Sequence, residues 1–524
     1  MATSDKYDRQ LRLWGAEGQK ALGDTCVIVV RATAVGTETA KNLVLPGVGE
    51  ILVVDDVNEI TTEYASNFFL VNDASKSRAQ MAMEHLGELN PDVHGDWKNV
   101  ACLATLDFAA LFASKAHKKV LVVASDLEPP LLESVAAVCH RQKLPMIAVH
   151  SYGLLGIVRL QTPPLPLLNP KPRDGPPDLR LLTPFPALQN LAASIQWESL
   201  EDHEHGHVPY PFILLKVAAE YKAAHDGKLP ATFADKQVFQ GSVKTAARNF
   251  DMQLNFQEAQ KNAYTAYAAR ELDLDHLGSL RDVAAQSCPS LHLLLQGLDK
   301  FLVNHANQPP VQGNIPDMTA STELYVKLQN AYREQGEKDL AEMRVLVPDC
   351  VSDDELANFC GNVYNLDLFQ PRTMQQEYNE VTPDDIAEDL AMSTMEGDER
   401  PEHSPLLWYL SFRACQLFFL KEGRYPGVLD DYEQDIPILQ NCIETAVQRS
   451  KLQDNDLVKA TLLKSTDYAT ELTRYGNAEI HNIASVVGGV ASQEAVKLIT
   501  GQYVPFDNCY VFNGVASIGG VYRF

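Results

Sequence analysis

The segment after an apolar run, TCVIVV at Thr25–Val30, has the position of a phosphate-binding loop. Such a loop needs glycine at several points, because backbone amides must approach the phosphate and some residues adopt positive φ. Here the segment reads RATAVG, and only Gly36 remains. Side chains at Arg31, Thr33 and Ala34 would occupy the space that a phosphate needs. The pattern favours a sheet with a purely structural role over a sheet that binds a nucleotide at this loop.

A second apolar run ends in Asp55-Asp56, about 20 residues after the loop, where an acidic residue could bind a ribose hydroxyl. His203, His205 and His207 alternate, which predicts one face of a strand. A metal site there is one interpretation, but no cysteine or carboxylate pattern supports it beyond the adjacent Asp202 and Glu204, so a polar loop or interface is favoured. The chain has no G-x-S-x-G or C-x-x-C motif, which argues against a serine-hydrolase elbow and a cysteine-based zinc site.

The elements that must position these residues alternate between strands and helices. Short apolar runs of the kind buried in parallel sheets alternate with helical patterns. The predicted strands are Thr25–Val30, Ile51–Asp55, Val120–Ala124 and Met146–Val149, and the predicted helices are Gly36–Leu45, Ser75–Leu89 and Leu131–Arg141. This order predicts an α/β fold with a doubly wound, Rossmann-like sheet.

The rest of the chain divides by composition. Nine of the 29 prolines fall between Pro163 and Pro186, which predicts a domain exit. A mainly helical region follows, and the last 60 or so residues turn into an amphipathic helix and β-rich pieces that could complete the first domain. The predicted domains are therefore 1–162, a helical insert over 163–465, and 466–524. Ten acids and one base lie within 377–402, which favours a solvated acidic loop over a docking site for a basic partner.

Composition narrows the functional classes. The chain has 524 residues, 45% of them hydrophobic, and a net charge of −25, so a nucleic-acid partner is not expected. No signal peptide and no long apolar span is visible, and the nine cysteines show no pairing pattern. We therefore expect a soluble protein of the cytoplasm and nucleus, with no membrane partner.

Several motifs resemble those of ubiquitin-activating-type enzymes. YDRQLRLWG at Tyr7–Gly15 is similar to their opening signature, and KNLVLPGVG at Lys41–Gly49 to the helix after their ATP loop. The pieces in the middle of the chain resemble one branch of that group, the regulatory subunits of neddylation-activating enzymes. These pieces are Asp178–Pro186, Ile315–Met318, Tyr325–Arg333 and Gly423–Val428.

The resemblance implies an adenylation fold that has lost its own nucleotide site. The active half of such enzymes has G-x-G-G-x-G, and Arg31, Thr33 and Ala34 stand at its first three glycine positions. The active half's phosphate-binding Arg is replaced by the Phe-Phe-Leu of 68–70, whereas Arg78 and Asp126 match its next basic residue and its metal-binding Asp. The family's catalytic cysteine and zinc motifs are missing. The resemblance therefore implies no cofactor in this chain, with ATP and magnesium in the partner subunit.

The resemblance also implies what the chain contributes. It predicts a heterodimer with the catalytic subunit, which adenylates the C-terminal Gly of the neddylation modifier and passes it as a thioester to a conjugating enzyme. Arg9 of the opening motif would reach the partner's ATP site as a trans arginine; the alternative is an Arg that pairs with Asp8 or caps local structure. The helical insert would form part of the modifier cleft. The predicted interface residues are His205, His207, Asp317, Met318, Glu323, Lys327 and Asn330.

Two other functions stay open at this point. One is a self-sufficient nucleotide-binding Rossmann enzyme, which requires the altered loop to bind a nucleotide. The other is an adaptor that binds other proteins independently of the modifier pathway.

Overall fold

Strands form at the predicted apolar runs and at several less apolar segments. A computed structural model describes residues 6–60, 65–73, 75–168, 177–379, 386–391, 400–429 and 432–524. The strands in these ranges are β1 Thr25–Val30, β2 Glu50–Asp55, β3 His94–Asn99, β4 Lys119–Ser125, β5 Met146–Tyr152, β6 Leu155–Gln161, β7 Leu165–Leu167, β8 Asp367–Phe369, β9 Cys509–Asn513 and β10 Ile518–Tyr522. β1 and β2 are buried along their whole length, as expected for strands covered on both faces.

Eight strands form one sheet in the order β10-β9-β6-β5-β4-β1-β2-β3. The five strands from β3 to β5 are parallel, with Val27 of β1 opposite Ile51 and Leu121. β6, β9 and β10 continue the sheet in antiparallel pairs, so the C-terminal strands do complete the N-terminal sheet. The doubly wound prediction is confirmed.

The helices in the described ranges follow the predicted alternation with small shifts at their ends. They are α1 Asp8–Gly23, α2 Ala34–Val44, α3 Arg78–Leu89, α4 Phe108–Ser114, α5 Pro129–Gln142, α6 Pro186–Ser194, α7 Asp202–His205, α8 Tyr210–Ala224, α9 Phe233–Thr245, α10 Leu254–Lys261, α11 Leu274–Ser287, α12 Pro289–Asn304, α13 Thr322–Leu346, α14 Asp353–Cys360, α15 Met374–Asn379, α16 Pro405–Glu422, α17 Tyr432–Arg449, α18 Asp467–Tyr475 and α19 His481–Thr500. Residues 386–391 and 456–463 are also helical.

The chain divides into two compact units, one made of 1–165 and 369–524 and the other of 166–368. The predicted insert, 163–465, differs from the second unit at its C-terminal end. The reason lies in α16, which is apolar on nearly every side and buries twelve of its residues. These side chains share a core with Tyr152 and Ile157 of the sheet, so α16 belongs to the first unit.

Helices cover both faces of the central strands. Alternate residues of β1, beginning with Cys26 and Ile28, pack with Phe112 of α4 and Leu132 of α5 on one face. α2 and α19 pack against each other closely. They meet at Gly488, where an added Cβ would lie 2.8 Å from the Cβ of Glu38.

The second unit is mainly helical and contains two clusters of buried side chains. One cluster is centred on Phe212, Phe256 and Tyr332, and the other on Leu294 and Phe359. Part of the predicted acidic loop, 380–385 and 392–399, lies outside the described residues. No helix in the described ranges has both the length and the hydropathy that crossing a membrane requires.

The contact at Gly488 gives a test of the fold. We expect Gly488→Ala to lower the free energy of unfolding by about 1–3 kcal/mol, because the new methyl overlaps the backbone of α2, 2.9 Å from the nitrogen of Thr39. The neighbouring Gly489 has nothing within 4 Å of an added Cβ, so Gly489→Ala is the matched control. Alanine there should leave the melting temperature unchanged or raise it through helix propensity. Equal effects of both variants in thermal denaturation would contradict the packing described.

Candidate functional site

The candidate site lies where the strand order reverses, at the carboxyl ends of β1 and β4. Open α/β sheets bind their ligands in the crevice at this switch point. The loop of Arg31–Thr33 follows β1, and the turn of Asp126–Glu128 follows β4. The two loops face each other and are joined by side-chain hydrogen bonds.

Arg31 keeps the backbone of a glycine while filling the loop with a side chain. Its φ is 73°, in the left-handed region that non-glycine residues rarely adopt. The guanidinium donates to both carboxylate oxygens of Glu128, at 2.9 and 2.8 Å, and to the carbonyl oxygen of Asp126 at 2.8 Å. These bonds hold the strained Arg31 in place, and its positive charge is paired with the Glu128 carboxylate.

Asp126, the residue that matches a metal-binding Asp, is bonded within the loop. One oxygen accepts from the Thr33 hydroxyl at 2.8 Å, and the other from the backbone N–H of Ser151 at 2.9 Å. Thr33 also contacts Ser125. The Ser125 side chain leaves no room for a side chain at Gly36, the one glycine that the loop retains. An added Cβ at Gly36 would lie 2.5 Å from the Ser125 Oγ.

Asp55, which ends the second apolar run where an acid could bind a ribose hydroxyl, is fully buried. It accepts from the backbone N–H of Ala32 at 2.7 Å and from Arg78 at 2.8 and 2.9 Å. Although burial opposes ionisation, the Arg78 guanidinium and the backbone donors hold the pKa of Asp55 below its ordinary value. Both residues are therefore used in fixing the loop.

Glu479 completes the site from the far end of the chain. Its carboxyl oxygens accept from the backbone N–H groups of Ala34 at 3.0 Å and Val35 at 3.1 Å. These are the first amides of α2, which lack partners within the helix. Burial, followed by the nearby charge of Asp126, raises the pKa of Glu479 to about 8.

The site as a whole is closed by its own side chains. The His150 ring lies 3.7 Å from Asp126 without forming a cluster of metal-ligand character. Across the described ranges, no three His, Cys, Asp or Glu side chains are placed to hold a metal ion. The arrangement stabilises the loop, and it supplies neither a nucleophile nor a general base with an open approach.

The opening segment presents the predicted Arg9 on the surface of the first unit. Lys6 and Tyr7 fix its start, through bonds to Asp92 at 2.7 and 3.1 Å. Asp8 pairs with Arg12 at 3.0 Å, so the predicted alternative of an Arg9–Asp8 pair is not formed. Arg9 is exposed, and within the described part of the chain its side chain has no ion pair or hydrogen bond.

The predicted interface residues lie in the second unit, and the strand predicted for the histidines is wrong. Glu201 and Glu204 form a capping box that starts the short helix α7. His205 is buried and stacks on Phe256, with ring centroids 4.9 Å apart. Burial and then Arg248 lower its pKa. His205 thus packs inside the unit and does not present its ring at the surface.

His207 and the segment 317–330 come together in the second unit. The carbonyl of His207 accepts from the backbone N–H of Ser321, the residue before α13, at 2.8 Å. Glu323 and Lys327 are exposed and pair with each other at 2.6 Å. The other predicted residues of the segment are the exposed Asp317 and the half-buried Met318 and Asn330. Leu328 of the same segment is fully buried and packs in the core of the second unit.

Comparison with known proteins places this geometry in a family. A family model described as the ThiF family matches residues 7–518. A NEDD8-activating enzyme E1 regulatory subunit of Danio rerio is 33% identical over 541 residues, covering 99% of this chain and 98% of the relative. The regulatory subunit AXR1 of Arabidopsis thaliana is 31% identical over 529 residues, covering 97% and 94%. The chain belongs to the family of NEDD8-activating enzyme E1 regulatory subunits.

Solved structures of Escherichia coli proteins give partial likenesses. The dehydratase TcdA is 20% identical with a TM-score of 0.26, covering 29% of this chain and 65% of its own. MccB is 17% identical with a TM-score of 0.26, covering 30% and 49%. The ThiF match and the sheet order themselves confirm the adenylation-type fold.

Membership of this family confirms the resemblance based on the sequence motifs. The individual roles of Arg9 and of the interface residues stay predictions. The sequence interpretation missed Glu479, which is 445 positions from the amide it binds. No motif around it signals this role, because only the folded sheet brings α18 and α19 back to the loop.

Glu479 gives a prediction for pH dependence. Its pKa in the folded chain, about 8, lies above the ordinary value of 4.5, so its contribution to stability is complete at low pH and is lost as pH rises between these values. We expect wild-type melting temperature to fall relative to Glu479→Gln from about pH 5 to about pH 9.

Glu471→Gln is the control for this pH series. Glu471 pairs with Arg474, which lowers its pKa, so its contribution is lost only at more acidic pH. The difference between wild type and Glu471→Gln should stay flat over the same range. A flat difference for Glu479→Gln as well would contradict the raised pKa.

Proposed function

We propose that this chain is the non-catalytic, regulatory half of a heterodimeric activating enzyme. The complex adenylates the C-terminal Gly of the neddylation modifier with ATP and magnesium bound in the partner subunit. It then transfers the modifier as a thioester to a cysteine of the partner and from there to a conjugating enzyme. This chain supplies Arg9 in trans and part of the modifier-binding cleft. We place this activity in the cytoplasm and nucleus.

The observation that carries the proposal is a switch point filled by the chain's own side chains, together with an exposed Arg9 that has no ion pair or hydrogen bond among the described residues. A self-sufficient enzyme would need α2 and its loop to bind phosphate, but Glu479 holds the first two amides and Glu128 holds Arg31. At the same time Arg9 extends from a segment that Tyr7 fixes to the body of the unit. The charged group that this chain offers to the reaction is therefore Arg9, which acts in the partner subunit.

ATP–pyrophosphate exchange tests the division of labour, because it reports reversible adenylate formation. We expect no exchange from the purified chain with the modifier, and exchange once the catalytic subunit is added. Exchange by the chain alone would favour the self-sufficient enzyme. A chain whose main partner in pull-downs lacks an adenylation fold would favour the adaptor function.

The trans role of Arg9 predicts a specific kinetic defect. We expect Arg9→Ala to slow adenylation by the assembled heterodimer about 10²–10³-fold, as for other donors that stabilise developing charge. Arg12→Ala is the matched control, because Arg12 is one turn away, exposed and paired with Asp8. Unchanged exchange by the Arg9→Ala heterodimer, at unchanged assembly, would rule out the role.

The interface prediction on α13 is tested by charge reversal. We expect Lys327→Glu to speed dissociation of the heterodimer, because it places two adjacent acids where an exposed ion pair stood. Lys338→Glu, an exposed change on the same helix but outside 317–330, is the control. Equal dissociation rates for the two variants, measured by surface plasmon resonance, would place the contact elsewhere.

A further inference from the structure

Two segments distant in sequence converge on the altered loop of the first unit. Residues 423–428, whose motif resembles that of regulatory subunits, form a turn held by Asp435. The Asp435 carboxylate accepts from Arg424 at 2.6 and 2.8 Å and from the backbone N–H of Gly427 at 2.8 Å. Gly427 has φ 78° and packs so closely on Thr473 that an added Cβ would lie 1.9 Å from its carbonyl oxygen. The turn and the end of α18 thus form one packed wedge.

The turn of 423–428 also carries Tyr425, which is buried near the charged turn after β4. Tyr425 is 6% exposed, and its ring centroid lies 5.7 Å from that of Tyr152. Burial, with the charges of Asp126 and Glu128 nearby, raises its pKa. An aromatic side chain therefore lies beside the acidic residues that follow β4.

The second part of the wedge is the segment after α18, which carries Glu479. Helix N-termini of this fold bind phosphate, because the first amides point outward and the helix dipole favours negative charge. Here a carboxyl group takes both amides of Ala34 and Val35 with a two-point geometry that a phosphate group would also use. The short segment between α18 and α19 is followed by His481, the first residue of α19. The His481 ring stacks on Phe68, with ring centroids 3.5 Å apart.

We propose that Glu479 is an intramolecular plug of the former nucleotide site, occupying the phosphate position at the start of α2. The proposal deepens the proposed function, in which this chain binds no nucleotide, by naming the group that excludes it. The lost glycines alone leave the α2 amides available to any anion. Glu479 removes that availability and ties the C-terminal segment to the N-terminal sheet.

The plug is tested by opening it in the full-length chain. The variants are Glu479→Ala and Glu479→Gln, and Glu471→Ala is the control because it removes a glutamate of the same region that does not touch the loop. The probe is magnesium pyrophosphate at constant ionic strength, with the melting temperature as the measurement. We expect the melting temperature of Glu479→Ala to rise by several degrees when magnesium pyrophosphate is added, and that of wild type and of the control to stay unchanged. If Glu479→Ala does not fold, Glu479→Gln, which keeps the size but loses the second acceptor, carries the same expectation.

Two results would overturn the plug. The first is an equal rise for wild type, which would mean that the loop is open with Glu479 in place. The second is no rise for a folded Glu479 variant, which would mean that other side chains close the site. Neither result depends on the heterodimer, so failure of the plug is distinguishable from failure of the regulatory function, which exchange by the assembled complex tests separately.

Discussion

The amides at the start of α2 impose the constraint on which the first unit depends. They lie at the switch point of the sheet and have no partners within their own helix, so they require an acceptor from elsewhere. Enzymes of this fold can meet that requirement with a bound phosphate. In this chain Glu479 meets it, which means that the fold of the N-terminal sheet is completed by a residue near the C-terminus. The first two amides of α2 are thus satisfied by the chain itself.

The charged side chains around the start of α2 are bonded to partners of opposite charge. These ion pairs explain how the fold accommodates side chains at the former glycine positions. Arg31 adopts a backbone conformation unfavourable for a side chain, but Glu128 and the Asp126 carbonyl bond its guanidinium at three points. Asp55 is fully buried and would be costly alone, but Arg78 and the Ala32 amide satisfy it. Removing Arg78 would leave the buried Asp55 charge without its partner, so we expect this part of the loop to be sensitive to single substitutions.

Sequence patterns predict the parts of this fold that depend on local properties. Continuous apolar runs identify β1 and β2 because burial on both faces leaves no polar alternation, and the missing glycines identify the altered loop. β3 is missed because it is a polar edge strand, exposed along most of its length. The predicted insert, 163–465, extends beyond the second compact unit, because the sequence pattern of α16 is the same for a helix in a bundle and a helix against a sheet. Glu479 is missed because its partner amides are brought near only by the complete fold.

The segment that carries Arg9 is likewise held by contacts within the chain. Here α1 is fixed to the unit by Tyr7 on Asp92 and by Gln502, which donates to the Trp14 carbonyl at 2.8 Å. Arg9 therefore extends from a helix that contacts within the first unit hold in position. Under the trans role proposed for Arg9, these contacts order its segment at folding, before the reaction begins.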